Sequence, residues 1–67
     1  MPYVNIRITR EGATAAQKAA LISGVTTLLH DVLGKNPATT FVIIDEVDTD
    51  SWGIAGESVK VRRARGR

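Results

Sequence analysis

The chain has 67 residues, 43% of them hydrophobic and none a cysteine, which allows one domain that covers only ~60% of the surface its unfolded chain exposes and excludes both disulfides and thiolate zinc sites. The lone His30 cannot make a histidine-rich metal site, and the apolar fraction is too high for a disordered chain, so association with further copies is the reinforcement left. The formal charge of +2 is uneven: residues 1–59 carry Arg7, Arg10, Lys18 and Lys35 against seven acids, a balance of −3, while residues 60–67 carry five cations and no acid.

Basic character confined to the last eight residues argues against a nucleic-acid-binding body. No apolar run approaches the ~20 residues of a membrane span, and the N-terminus has no signal-peptide pattern. The expectation is one cytoplasmic domain over 1–67 without a membrane partner, ending in a basic, mobile tail over 62–67.

From Tyr3 to Thr9 the residues alternate, with Val4, Ile6 and Ile8 on one face and Tyr3, Asn5, Arg7 and Thr9 on the other. This pattern predicts a strand. Arg10-Glu11-Gly12 turns the chain. Thr14 with Gln17 three residues on makes a capping box. Leu21, Ile22, Val25, Leu28, Leu29, Val32 and Leu33 then form one apolar helical stripe. Gly34 is the expected C-terminal cap, with Pro37 beyond it. Gly24, costly inside a helix, suggests close approach by a neighbouring group.

Residues 39–47 read as a second strand whose centre is apolar on both faces, Val42 and Ile44 on one and Phe41 and Ile43 on the other. Such a strand must be covered on both sides. One helix covers one face of a two-stranded sheet, so the other face calls for a second subunit. Strand, helix and strand fit a parallel βαβ unit. Trp52-Gly53-Ile54-Ala55-Gly56 then leads to a short returning strand over Glu57–Val61, giving a hairpin.

Pro2 is the residue that points to chemistry. Once Met1 is removed, its nitrogen is a secondary amine held rigidly in a ring at the head of a strand. Apolar neighbours or nearby cations lower an ammonium pKa toward neutrality, and an α-amino group starts at only ~8. Such an amine serves as a general base or a nucleophile. With Met1 retained, the same nitrogen is an amide and can do neither.

Pro2 followed by an alternating strand, the Glu11-Gly12 turn, a helix with Gln17-Lys18, a Val42-Ile43-Ile44 strand and Trp52-Gly53-Ile54-Ala55-Gly56 resembles the 4-oxalocrotonate tautomerase family over roughly residues 2–63. The resemblance implies an α+β, β-α-β tautomerase fold with a parallel two-stranded sheet, one long helix and a short C-terminal hairpin. It further implies assembly into a hexamer, a trimer of dimers, with active sites between subunits and no cofactor. The implied function is keto-enol proton transfer on a small unsaturated 2-hydroxy or 2-oxo acid, with Pro2 as general base and Trp52 as an aromatic pocket wall.

The departures from that pattern bear on substrate recognition. Family members acting on dicarboxylates place one arginine after the Glu-Gly turn and another at the start of the second strand; here those positions are Ala13 and Phe41. Phe41 makes the site more apolar. Arg10 is the candidate substrate-binding cation, and Arg7, on the polar strand face, is an alternative interface or pocket cation.

Three other readings follow from the same residues. A neutral proline also suits a hydratase or dehalogenase, which would need a carboxylate to position water. The missing arginines suit a non-catalytic subunit of a mixed hexamer, and the basic tail suits a nucleic-acid or acidic partner. The acids Asp45, Glu46, Asp48 and Asp50 lack the glycine and terminal glutamate of a calcium loop and read as a solvated strand end.

Overall fold

The structure is a computed structural model that describes residues 1–66. Strand β1 (Tyr3–Thr9) pairs in parallel with β2 (Phe41–Val47), in a register from Tyr3 opposite Phe41 to Thr9 opposite Val47. Helix α1 (Ala15–Leu33) makes the crossover. Its start is held as the capping box predicts: Gln17 N donates to Thr14 Oγ1 at 3.1 Å, and Thr14 N donates to Gln17 Oε1 at 2.9 Å. It ends at Gly34, whose φ of 68° lies in the left-handed region and whose N–H reaches the His30 carbonyl. Thr14→Ala removes one of these bonds and is expected to lower the unfolding free energy by about 1 kcal/mol, read as a lower urea midpoint with unchanged slope at matched protein concentration.

The alternation of β1 decides which face meets the helix. Val4, Ile6 and Ile8 share a face with Val42, Ile44 and Glu46, and all six are half-buried. Lys18 of α1 donates to Glu46 Oε2 at 3.0 Å, tying helix to strand at the edge of that face. The opposite face carries Tyr3, Phe41 and Ile43, all exposed, with Asn5, Arg7 and Asp45 beyond them.

Two sequence expectations change in the structure. The second strand starts at Phe41 rather than Thr39, because Pro37–Thr39 forms a 3₁₀ turn in which Asn36 Oδ1 accepts from Ala38 N. The returning strand stops at Ser58. Strand β3 (Gly53–Ile54) pairs antiparallel with β4 (Glu57–Ser58), but Ser58 Oγ then accepts from Val61 N and starts helix α2 (Val59–Ala64). The segment expected to be a mobile tail therefore continues as helix through Ala64, and Arg62, Arg63 and Arg65 all meet acids; Arg67 lies outside the described residues.

One chain does not close a core. None of the described residues is buried, and the apolar stripe of α1 leaves Leu28, Val32 and Leu33 open. The accessible surface is 4835 Å², against about 4100 Å² for a compact chain of this size. The radius of gyration is 15.4 Å, against about 11 Å for a globule. Gly24 fits the same pattern: a Cβ there would meet nothing within 4 Å, so the close approach its glycine suggests is not made among the described residues of one chain. No described helix is long and apolar enough to cross a membrane.

Candidate active site

The four sequence-predicted site residues fall at two ends of the sheet. Pro2 and Phe41 are neighbours at its start, where Phe41 N donates to the Pro2 carbonyl at 2.9 Å. Pro2 is half-buried and Phe41 exposed. Arg10 and Trp52 belong to the far end. Seven residues of strand separate the ends, about 20 Å at ~3.3 Å per residue.

At the far end the hairpin brings Trp52 back to the ends of β1 and β2, held by Val59 N donating to the Trp52 carbonyl at 2.8 Å. Two clefts open beside the indole. The larger, about 560 Å³, is lined by Arg7, Thr9, Glu11, Ala13, Gln17 and Trp52 among others. The smaller, about 250 Å³, lies between Val47, Ser51 and Gly53, and Arg7 and Trp52 line it as well. Arg10 lines neither. Its Nη1 pairs with Asp48 Oδ1 at 3.1 Å, and its Nη2 donates to the Glu46 carbonyl at 3.2 Å. The structure thus brings Arg7, not Arg10, to Trp52.

Charge in the larger cleft is arranged around two pairs. Glu11 accepts from the Arg63 guanidinium and from Thr9 Oγ1, and these bonds, Arg63 first, hold its carboxyl below the usual range. The same pairing raises the Arg63 guanidinium. Asp45 accepts from Asn5 Nδ2 at 2.9 Å and from Arg7 Nη2 at 3.3 Å, and in that order they lower its carboxyl too. The strand-end acids Asp45, Glu46 and Asp48 are each met by a cation, respectively Arg7, Lys18 and Arg10, and among the described residues no cluster fit to hold a metal occurs.

Arg63 is the residue sequence reasoning missed. It belongs to the basic run over 62–67, and its partner Glu11 lies 52 positions away, so no local pattern announces the pair. The pair gives α2 a function as a strut on the turn that borders the cleft. Both lowered carboxyls contribute stability that is complete above the ordinary carboxylate range and is lost as pH falls through their folded-state values. Acidification below about pH 4 is therefore expected to release the strut and shift the emission of Trp52, the one tryptophan. Glu11→Gln should show a smaller shift over the same titration.

The relatives agree with this architecture. The model of the Tautomerase enzyme family matches residues 2–62. The chain is 73% identical over 63 residues to a probable tautomerase of Dickeya dadantii, covering 94% of each. It is 43% identical over 60 residues to a 2-hydroxymuconate tautomerase of Pseudomonas putida, covering 90% of this chain and 94% of that one. Its fold matches the crystal structure of DmpI from Helicobacter pylori with a TM-score of 0.86 and 48% identity, over 94% of this chain and 97% of that one. With these likenesses spanning nearly its whole length, the chain is an isomerase and belongs to the tautomerase family.

Proposed function

We propose that the chain is a cofactor-independent tautomerase acting on a small unsaturated 2-hydroxy acid, with Pro2 as general base. Family membership carries the reaction class. What supports Pro2 is its place at the head of β1, half-buried, with its carbonyl bonded to Phe41 N. Met1 before it is 87% exposed and open to an aminopeptidase. The freed amine takes the 2-hydroxyl proton as the C=O bond forms. The displaced π electrons move along the conjugated system and receive that proton at carbon, so the product is an isomer and the amine is regenerated. The name of the Pseudomonas relative makes 2-hydroxymuconate one substrate to try.

In this reading the site forms between copies. A separation of about 20 Å keeps Pro2 and Phe41 of one chain from sharing a small substrate with Trp52 of the same chain. Pairing one copy's Pro2 end with another's Trp52 end removes that obstacle, and the exposed face of Tyr3, Phe41 and Ile43 supplies apolar surface for the contact. The proposed assembly is a homohexamer, a trimer of dimers. Phe41 and Trp52 then act as walls for the flat conjugated carbons of the substrate.

The test is turnover of phenylenolpyruvate and 2-hydroxymuconate by purified protein whose intact mass shows the loss of one methionine residue. Ketone formation above the buffer rate is the expected result. Buffer-level rates on both, with Met1 removed and the protein assembled, would sink the reading.

A further inference from the structure

We infer that Arg7 is the residue that binds the substrate carboxylate. The inference rests on the tautomerase reading above and extends it to recognition.

Four observations carry it. First, Arg7 lines both clefts beside Trp52 and is the one cation among their described lining residues. Second, within one chain it spends one nitrogen on a single 3.3 Å contact with Asp45, which leaves its other donors available to a ligand in a site that a second copy completes. Third, Asp45 keeps a shorter bond from Asn5, at 2.9 Å, so Arg7 can turn to a ligand without stranding that carboxylate. Fourth, Glu11, the acid of the larger cleft, is bonded by Arg63 and Thr9, so its charge is answered before a substrate arrives.

The other cations do not combine these properties. Arg10 is held by Asp48 and the Glu46 carbonyl, Lys18 by Glu46, Arg63 by Glu11, and Arg62 and Arg65 by Glu57; none of them lines either of the two clefts beside Trp52. A guanidinium presents two parallel N–H groups to one carboxylate, and the neighbouring indole accepts the flat carbons attached to it. The ligand class is a planar, conjugated 2-hydroxy acid, held through a single carboxylate.

The experiment compares wild type, Arg7→Gln, Arg7→Lys and Arg10→Gln on enolic phenylpyruvate and on its methyl ester, which presents the same enol without the charge. Losing a hydrogen-bonded charge pair costs Arg7→Gln about 30-fold in kcat/KM on the acid. The loss falls mainly on KM, with under about threefold change on the ester; Arg7→Lys regains part of it and Arg10→Gln tracks wild type. Binding of cinnamate and of neutral cinnamamide, followed by Trp52 fluorescence, gives the same comparison without turnover. Arg7→Gln is expected to weaken cinnamate alone. Equal losses on charged and neutral ligands, no loss on either, or a selective loss in Arg10→Gln would each overturn the assignment. Pro2→Ala should lower turnover of acid and ester alike while leaving cinnamate bound, so a failed base and a failed carboxylate site are told apart.

Discussion

Pro2→Ala is expected to lower kcat/KM on enolic substrates by about 10²- to 10⁴-fold, the usual contribution of a positioned general base. The substitution keeps the carbonyl that accepts from Phe41 N, so sheet pairing at that end survives. It also keeps a free amine once Met1 is removed, but one outside a ring and free to rotate. The loss should therefore appear in turnover and not in assembled mass or thermal midpoint. In wild type, kcat/KM should rise with pH as the ammonium gives up its proton and then level off. In the variant that limb should flatten. A Pro2→Ala protein with wild-type rates would remove Pro2 from the mechanism while leaving family membership untouched.

Ile43→Asp is expected to break the assembly. In a lone chain Ile43 is 47% exposed and sits beside Asn5 on the open face of the sheet. A change at so exposed a position is ordinarily worth within about 0.5 kcal/mol. If that face is an interface, the same change sets an unpaired carboxylate into an apolar contact, at a cost of roughly 3 kcal/mol or more per subunit. Sedimentation should then show smaller species, activity should fall with the assembly, and the thermal midpoint should depend more steeply on protein concentration. A variant with wild-type mass and stability would mean that another surface joins the copies.

What the sequence disclosed and what it hid follow the range of the forces involved. Strand β1 and helix α1 were readable because each is written in its own periodicity, and Thr14, Gln17 and Gly34 mark the helix ends with local bonds. The need for partners was readable too, from Phe41 and Ile43 alternating with Val42 and Ile44. Helix α2 was hidden because Ser58-Val59-Lys60-Val61 alternates like a strand. What decides otherwise is the pairing of Gly53 with Ser58, which ends the hairpin, after which Ser58 caps a run rich in lysine and arginine. The site was half readable. Pro2 and Trp52 stand out by type and place, whereas the choice of Arg7 over Arg10 at Trp52 depends on how the hairpin folds back, and on Asp48 engaging Arg10. Neither is written in the residues adjoining either arginine.

That no described residue of a single copy is buried carries a consequence for the life of the protein in a cell. On the proposed assembly, a newly made chain completes its folding only by meeting others, so the order of that step in chain concentration exceeds one. The folded fraction then rises with expression level instead of being a fixed property of the sequence. Scarce copies remain open to proteases and to indiscriminate association through the uncovered stripe of α1. Abundance thereby becomes a structural variable: the rate of synthesis governs how much of the protein holds its native form.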